Sequence, residues 1–236
     1  MAINFPTSLD NFTNPSSGNT LDSPSHSLQH SDINDAVEAM QRKVGVGTAV
    51  AGSASAGQVL TISAAGTSTW STPTPGALVL LNTTIFSAVT SFSLANDTFT
   101  STYDNYKILI SITSAASFGY LTGRVRNAGS DLSGSDYGSA MIQAAYASTA
   151  LGNDNAGATA TSFRLSYIDG RQNISMEIMN PKATQFTSFF NTNDRQAYGL
   201  QVAGGVYKQT TSVDSFTFIS AAGNLAGSYS VYGYSK

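Results

Sequence analysis

The sequence contains no cysteine, two histidines and one tryptophan among 236 residues. Without cysteine there is no disulfide scaffold, thiolate metal site, iron–sulfur cluster or thiol nucleophile. Two histidines are scant material for a zinc site or a catalytic triad. Charge is also sparse, at 11% of residues, where about 25% is ordinary. The formal balance is −3, and without a basic stripe no nucleic-acid partner is expected. The longest aliphatic run, Ala77 to Leu81, is far shorter than the ~20 residues of a membrane helix, so no membrane insertion is expected. The first residues, Met1 to Phe12, lack a basic and an apolar signal region, which predicts a chain soluble in the cytosol where it is made. What the sequence does have is 41% hydrophobic and 10% aromatic residues, enough for a packed core rather than wholesale disorder.

Composition divides the chain. Residues 1–50 hold five acids against two bases, residues 51–76 are small and flexible, and residues 77–236 are balanced in charge and carry nearly all the aromatics. Pro6, Pro15 and Pro24 keep residues 1–30 extended. Phe5, Leu9, Phe12 and Leu21 are spaced apolar anchors with no common face, so this arm is either disordered or laid along a partner surface. Within residues 31–50 a helix is signalled, with Asp32 as N-cap and Arg42 and Lys43 before Gly45. Its apolar residues Ile33, Val37, Met40 and Val44 are spaced four, three and four, a heptad seam. A helix this short is marginal alone. It packs on its own domain or self-associates as a short parallel coiled coil; the flexible segment that follows favours the second. Residues 57–73 predict a hairpin carrying Trp70, also marginal without a partner.

Beyond the Pro73–Pro75 joint, period-two patterns take over. Tyr106, Ile108, Ile110 and Ile112 alternate with Lys107, Leu109 and Ser111. Phe163, Leu165 and Tyr167 form another set, and Ile174, Met176 and Ile178 a third. Further strands are expected over 78–85, 89–94, 120–125, 141–146, 186–190, 198–207, 213–220 and 228–234. Turns are expected at Asn96-Asp97, Ser133-Gly134, Asp169-Gly170, Asn180-Pro181, Gly204-Gly205 and Gly223-Asn224. Many short strands with regular turns predict a mainly β chain ending in an antiparallel β-sandwich, jelly-roll-like, over 77–236. Apolar residues on both faces of 78–85 and 108–112 suggest that a second subunit covers one of them.

At this point a family likeness enters. INFPTSLDNFTNPSSGNTLDSPSHSLQHSDINDAVEAMQRKVGV, residues 3–46, resembles the leading segment of many tailed-bacteriophage fibre and minor tail proteins. The hairpin GQVLT…W is similar to a module of phage fibres. YDNYKILISI, Asn180-Pro181 and the closing SFTFISAAGNLAGSYSVYGYSK resemble a fibre-type C-terminal β-sandwich. The resemblance implies a homotrimer located in the virion, assembled in the host cytoplasm. It implies attachment of the N-terminal arm, with Phe5, Leu9, Phe12 and Leu21, to another tail or capsid protein. It also implies a distal domain that meets a glycan or protein of the host surface. A head fibre or capsid decoration without a specific receptor is the alternative.

Individual chemical signals are modest. His26 and His30 read as a polar linker rather than a metal pair, and Asp131 to Asp136 as a Gly/Ser/Asp turn rather than a calcium loop. Glu177 alternates with core positions, so it reads as a sheet-face residue rather than half of a glycosidase pair. No enzyme activity, metal or cofactor is expected. Arg124 and Arg126, two apart on one strand face, read as surface ion pairs with a nearby Asp or, since arginine suits phosphate, as receptor contacts. Receptor contact is also assigned to Tyr137 and Tyr146, beside the Asn/Ser/Gly-rich segments 127–139 and 147–161, where they could stack on a sugar.

Overall fold

The computed structural model describes residues 30, 33–35, 37, 38, 40, 41, 54–62, 67–73, 76–195 and 199–236. The arm anchors Phe5, Leu9, Phe12 and Leu21, together with His26 and Val44, lie outside them. The chain divides between Thr74 and Pro75 into two units. In the first, the described residues from His30 to Gln41 are helical. Of the seam, Ile33 is 61% and Met40 66% exposed, so among the described residues nothing covers this side. The hairpin pairs β1 (Val59–Ile62) with β2 (Ser68–Ser71), Leu60 opposite Trp70. Thr61 Oγ1 bridges to the Ser71 hydroxyl at 2.9 Å.

The second unit is all β. Its strands are β3 (Leu78–Val89), β4 (Ser91–Ser93), β5 (Asn105–Ala115), β6 (Gly119–Asn127), β7 (Ser130–Asp131), β8 (Tyr137–Ala145) and β9 (Leu151–Ala160). They continue with β10 (Phe163–Ile168), β11 (Gln172–Met179), β12 (Thr187–Arg195), β13 (Gly199–Tyr207), β14 (Ser215–Ser220) and β15 (Leu225–Tyr234). Eight form one sheet in the order β3-β15-β5-β11-β12-β13-β8-β9; the other runs β10-β6-β14-β4, with β7 beside β6. Every pairing is antiparallel. The architecture is therefore a β-sandwich with markedly unequal sheets.

Alternation builds the core. Ile174, Met176 and Ile178 of β11 lie opposite Ile110, Ile108 and Tyr106 of β5, and all six are buried. The smaller sheet answers with Leu121, Val125, Phe163, Phe216 and Phe218. Each such side chain contributes about 1.5–3 kcal/mol on burial. The opposite face of the larger sheet exposes Leu109, Ile142, Phe190 and Leu200, and edge strand β3 exposes Leu78, Leu80 and Ile85.

Two expectations are corrected here. Gly204-Gly205 is not a turn but the interior of β13. A Cβ on Gly205 would lie 2.5 Å from the Gly138 carbonyl oxygen and 2.5 Å from the Phe189 ring, so this glycine serves close packing. Most of segment 147–161, read as a loop, is the edge strand β9, paired along β8.

Register defines the two ends of the sandwich. Leu78 pairs with Tyr234, and Tyr106 with Gly233, at the proximal end, where Ala77 leads into β3. Val89 and Ala115 both pair with Leu225 at the distal end. Connections 116–118, 146–150, 169–171 and 221–224 are distal; 128–136, 180–186 and 208–214 are proximal.

Candidate functional site

The four residues assigned to receptor contact do not converge. Tyr137 begins β8 on its inward face and is fully buried. Its ring meets Phe163 edge-on at 4.8 Å and Tyr207 at 5.0 Å, and its hydroxyl donates to the Leu132 carbonyl. Burial, and then the neighbouring Tyr207, push this phenol far above its ordinary range. A receptor role for Tyr137 is therefore overturned: it alternates with Ser139 and Met141 toward the core. Arg126 is engaged internally, 3.2 Å from Asp131 and bonded to the Gly129 carbonyl, near the proximal end. Arg124, on the same outward face of β6, donates through Nε to the Thr161 carbonyl at 3.0 Å. Tyr146 is 74% exposed in a distal connection.

The distal end holds a cluster the sequence reading missed. Tyr120 of β6 and Tyr167 of β10 are direct cross-strand partners on the outer face of the smaller sheet. Their rings lie 4.3 Å apart and their hydroxyl oxygens 2.6 Å apart. Both hydroxyls reach Asp154 Oδ2, Tyr120 at 2.8 Å and Tyr167 at 2.5 Å. Asp154 comes from β9, which runs past the edge strand β10. Arg164 pairs with the other carboxylate oxygen, and its guanidinium sits 4.0 Å above the Tyr120 ring. Burial alone would raise the Asp154 pKa; hydrogen bonds from Tyr167, Tyr120 and the Asn155 amide, with Arg164, hold it below its ordinary value. Phe118 stacks on Tyr167 at 5.5 Å with 15° between the planes. Behind them is an almost fully buried ion pair, Arg195 to Asp169 at 2.9 Å. Arg195 is also 5.5 Å from the Tyr167 ring and 5.6 Å from that of Phe118.

Further inward is a buried amide and hydroxyl network. Ser166, Gln172, Asn191, Asn193 and Gln201 are all buried. Gln172 Nε2 donates to Asn193 Oδ1 at 2.6 Å, and Ser166 Oγ donates to Gln201 Oε1 at 2.9 Å. Such a network fixes β10 against β12 and β13 by direction as well as by contact. Beside the tyrosines, a cleft of ≈ 460 Å³ is lined by Thr122, Asn155, Thr159, Thr161, Ser162 and Arg164. Its polar groups are hydroxyls, an amide and the Arg164 guanidinium, and it has no bulky apolar residue. Among the described residues no group of three or more His, Asp or Glu side chains is placed to hold a metal ion.

Four phenols carry a testable consequence. Tyr137, Tyr167, Tyr207 and Tyr234 are all raised, each chiefly by burial; Tyr234, also hydrogen-bonded to Glu177 at 2.7 Å, is pushed up to about 12. A raised acid stays protonated in the folded chain while the unfolded chain already ionises at about pH 10. Stability is thus complete below pH 10 and falls as pH rises from there, by about 1.4 kcal/mol per unit for each fully shifted group. Urea unfolding at pH 9 and pH 11 should show the midpoint dropping. A midpoint that holds steady would mean these hydroxyls titrate normally.

No protein-family model, curated protein or solved structure matches this chain.

Proposed function

We propose that this chain is a structural component of a tailed-phage virion, a trimeric fibre or spike whose C-terminal sandwich binds the bacterial surface during adsorption. The observation that carries this reading is the polarity of the sandwich. The chain enters β3 at the proximal end; of the exposed aromatics in connections, Phe118 and Tyr146 lie at the opposite end and Phe186 at the proximal one. A domain held at its proximal end offers that distal end to whatever it meets. The exposed heptad seam of the helix supports self-association: three copies would cover Ile33, Val37 and Met40 with one another. The likeness of residues 3–46 to phage attachment segments supports the virion setting, with the arm docking on a tail or capsid protein.

The test is adhesion of the purified full chain to cells that the virions infect, beside a resistant strain lacking surface polysaccharide. Saturable binding to the first and loss on the second is expected. Binding to neither, while virions adsorb normally, would make the protein a head fibre or capsid decoration.

A further inference from the structure

We infer that the solvent-facing side of Phe118 is the platform on which the sandwich stacks a neutral hexose ring of a surface glycan; this rests on the adhesin reading above. Single exposed apolar residues are ordinary on protein surfaces. Phe118 differs in how it is held. Its loop is tied to the neighbouring connection 221–224 just ahead of the ring, Ala116 N–H donating to the Asn224 carbonyl at 3.0 Å and Ser117 N–H to the Ala222 carbonyl at 2.9 Å. Next to it Gly119 packs so tightly that a Cβ would lie 2.5 Å from the Ala221 backbone. The ring rests on Tyr167, Tyr167 on Tyr120, and Tyr120 under Arg164, with Asp154 fixing both hydroxyls. Phe118 is nevertheless 60% exposed. An aromatic that is immobilised from behind and open in front loses little freedom when a ring is laid on it.

The surroundings specify the ligand. Phe118 follows Ala116 and Ser117, against which Gly223 packs, small residues that leave room around one ring. The two cations of the stack, Arg164 and Arg195, are already paired with Asp154 and Asp169. Within the stack no net charge is left to attract a phosphate or an acidic sugar; Arg171, exposed in the distal connection 169–171, is not part of it. A neutral pyranose, apolar on its C–H face and hydroxylated at its rim, fits an aromatic platform in a polar setting.

The test uses the full chain and methyl glycosides of glucose, galactose, mannose and rhamnose, read by saturation-transfer NMR. At least one should bind with a Kd of about 1 mM. Phe118→Ala should weaken it about tenfold and Phe118→Trp should keep it, both with an unchanged thermal midpoint. Three such sites per trimer would make cell adhesion fall further still. If none of the four sugars binds the wild-type chain, or if Phe118→Ala binds as wild type does, the platform is refuted. Cell adhesion separates the two failures. Equal adhesion by wild type and Phe118→Ala removes the platform and leaves the adhesin, whereas adhesion by neither removes both.

Discussion

Phe163→Ala is expected to lower the stability of the sandwich by about 3–5 kcal/mol, the usual loss for a buried phenylalanine. Phe163 is 1% exposed and sits where the sheets meet. It lies 4.6 Å from Phe189 and 4.8 Å from Tyr137 on the larger sheet, and 6.2 Å from Phe216 on its own. Rigid strands on either side cannot close the space, so the cavity penalty adds to the lost transfer energy. With total stability of about 5–15 kcal/mol in a typical domain, this one change removes a large share. Urea unfolding followed by circular dichroism measures it, with Phe186→Ala as control, since Phe186 is 53% exposed. Equal losses for the two variants would contradict the packing described.

Val37→Asp is expected to turn a trimer into monomers. Three chains of 24.6 kDa make 73.8 kDa, the mass light scattering should give for the wild-type protein. In a three-helix bundle the substitution sets three carboxylates at one layer of the seam, and desolvating unpaired like charges costs several kcal/mol per ion. The sandwich, with its own core, should keep its β-type dichroism while the mass falls to 24.6 kDa. A wild-type mass of 24.6 kDa at micromolar concentration would refute the trimer. A variant that stays at 73.8 kDa would refute the seam.

How much of this was readable in advance depended on which physical effect held each segment. β5 and β11 were legible because one buried face forces strict alternation, and their isoleucines indeed meet across the ladder. β9 was not. Its sequence LGNDNAGATA has no β-branched residue before Thr159 and reads as a loop; it is a strand because β8 presents a free row of backbone donors and acceptors, and sheet context outweighs propensity. Gly204-Gly205 misled for a related reason: glycine marks a turn in one setting and tight packing against Phe189 in another. The error over Tyr137 was avoidable, since Tyr137, Ser139 and Met141 share one parity. The stack around Phe118 was beyond reach, because it gathers residues 118, 120, 154, 164, 167 and 195 from strands whose adjacency only the folded sheets define. Tyr120 and Tyr167 each begin or end a recognisable alternating run, but nothing in either run says that they face each other.

The place of β15 bears on how the protein is made. It lies between β3 and β5, pairing with both along its length, and joins Ser230 to Thr83 across 147 residues of sequence. β15 is synthesised after every other strand, yet two of the earliest strands of the sandwich wait for it. Their contacts are therefore among the most non-local in the chain, which makes for slow folding. During translation β3 and β5 present unpaired backbone edges, the kind that invite association with other nascent chains or call for chaperones. A polypeptide stalled anywhere before Leu225 carries its aromatics without a finished core.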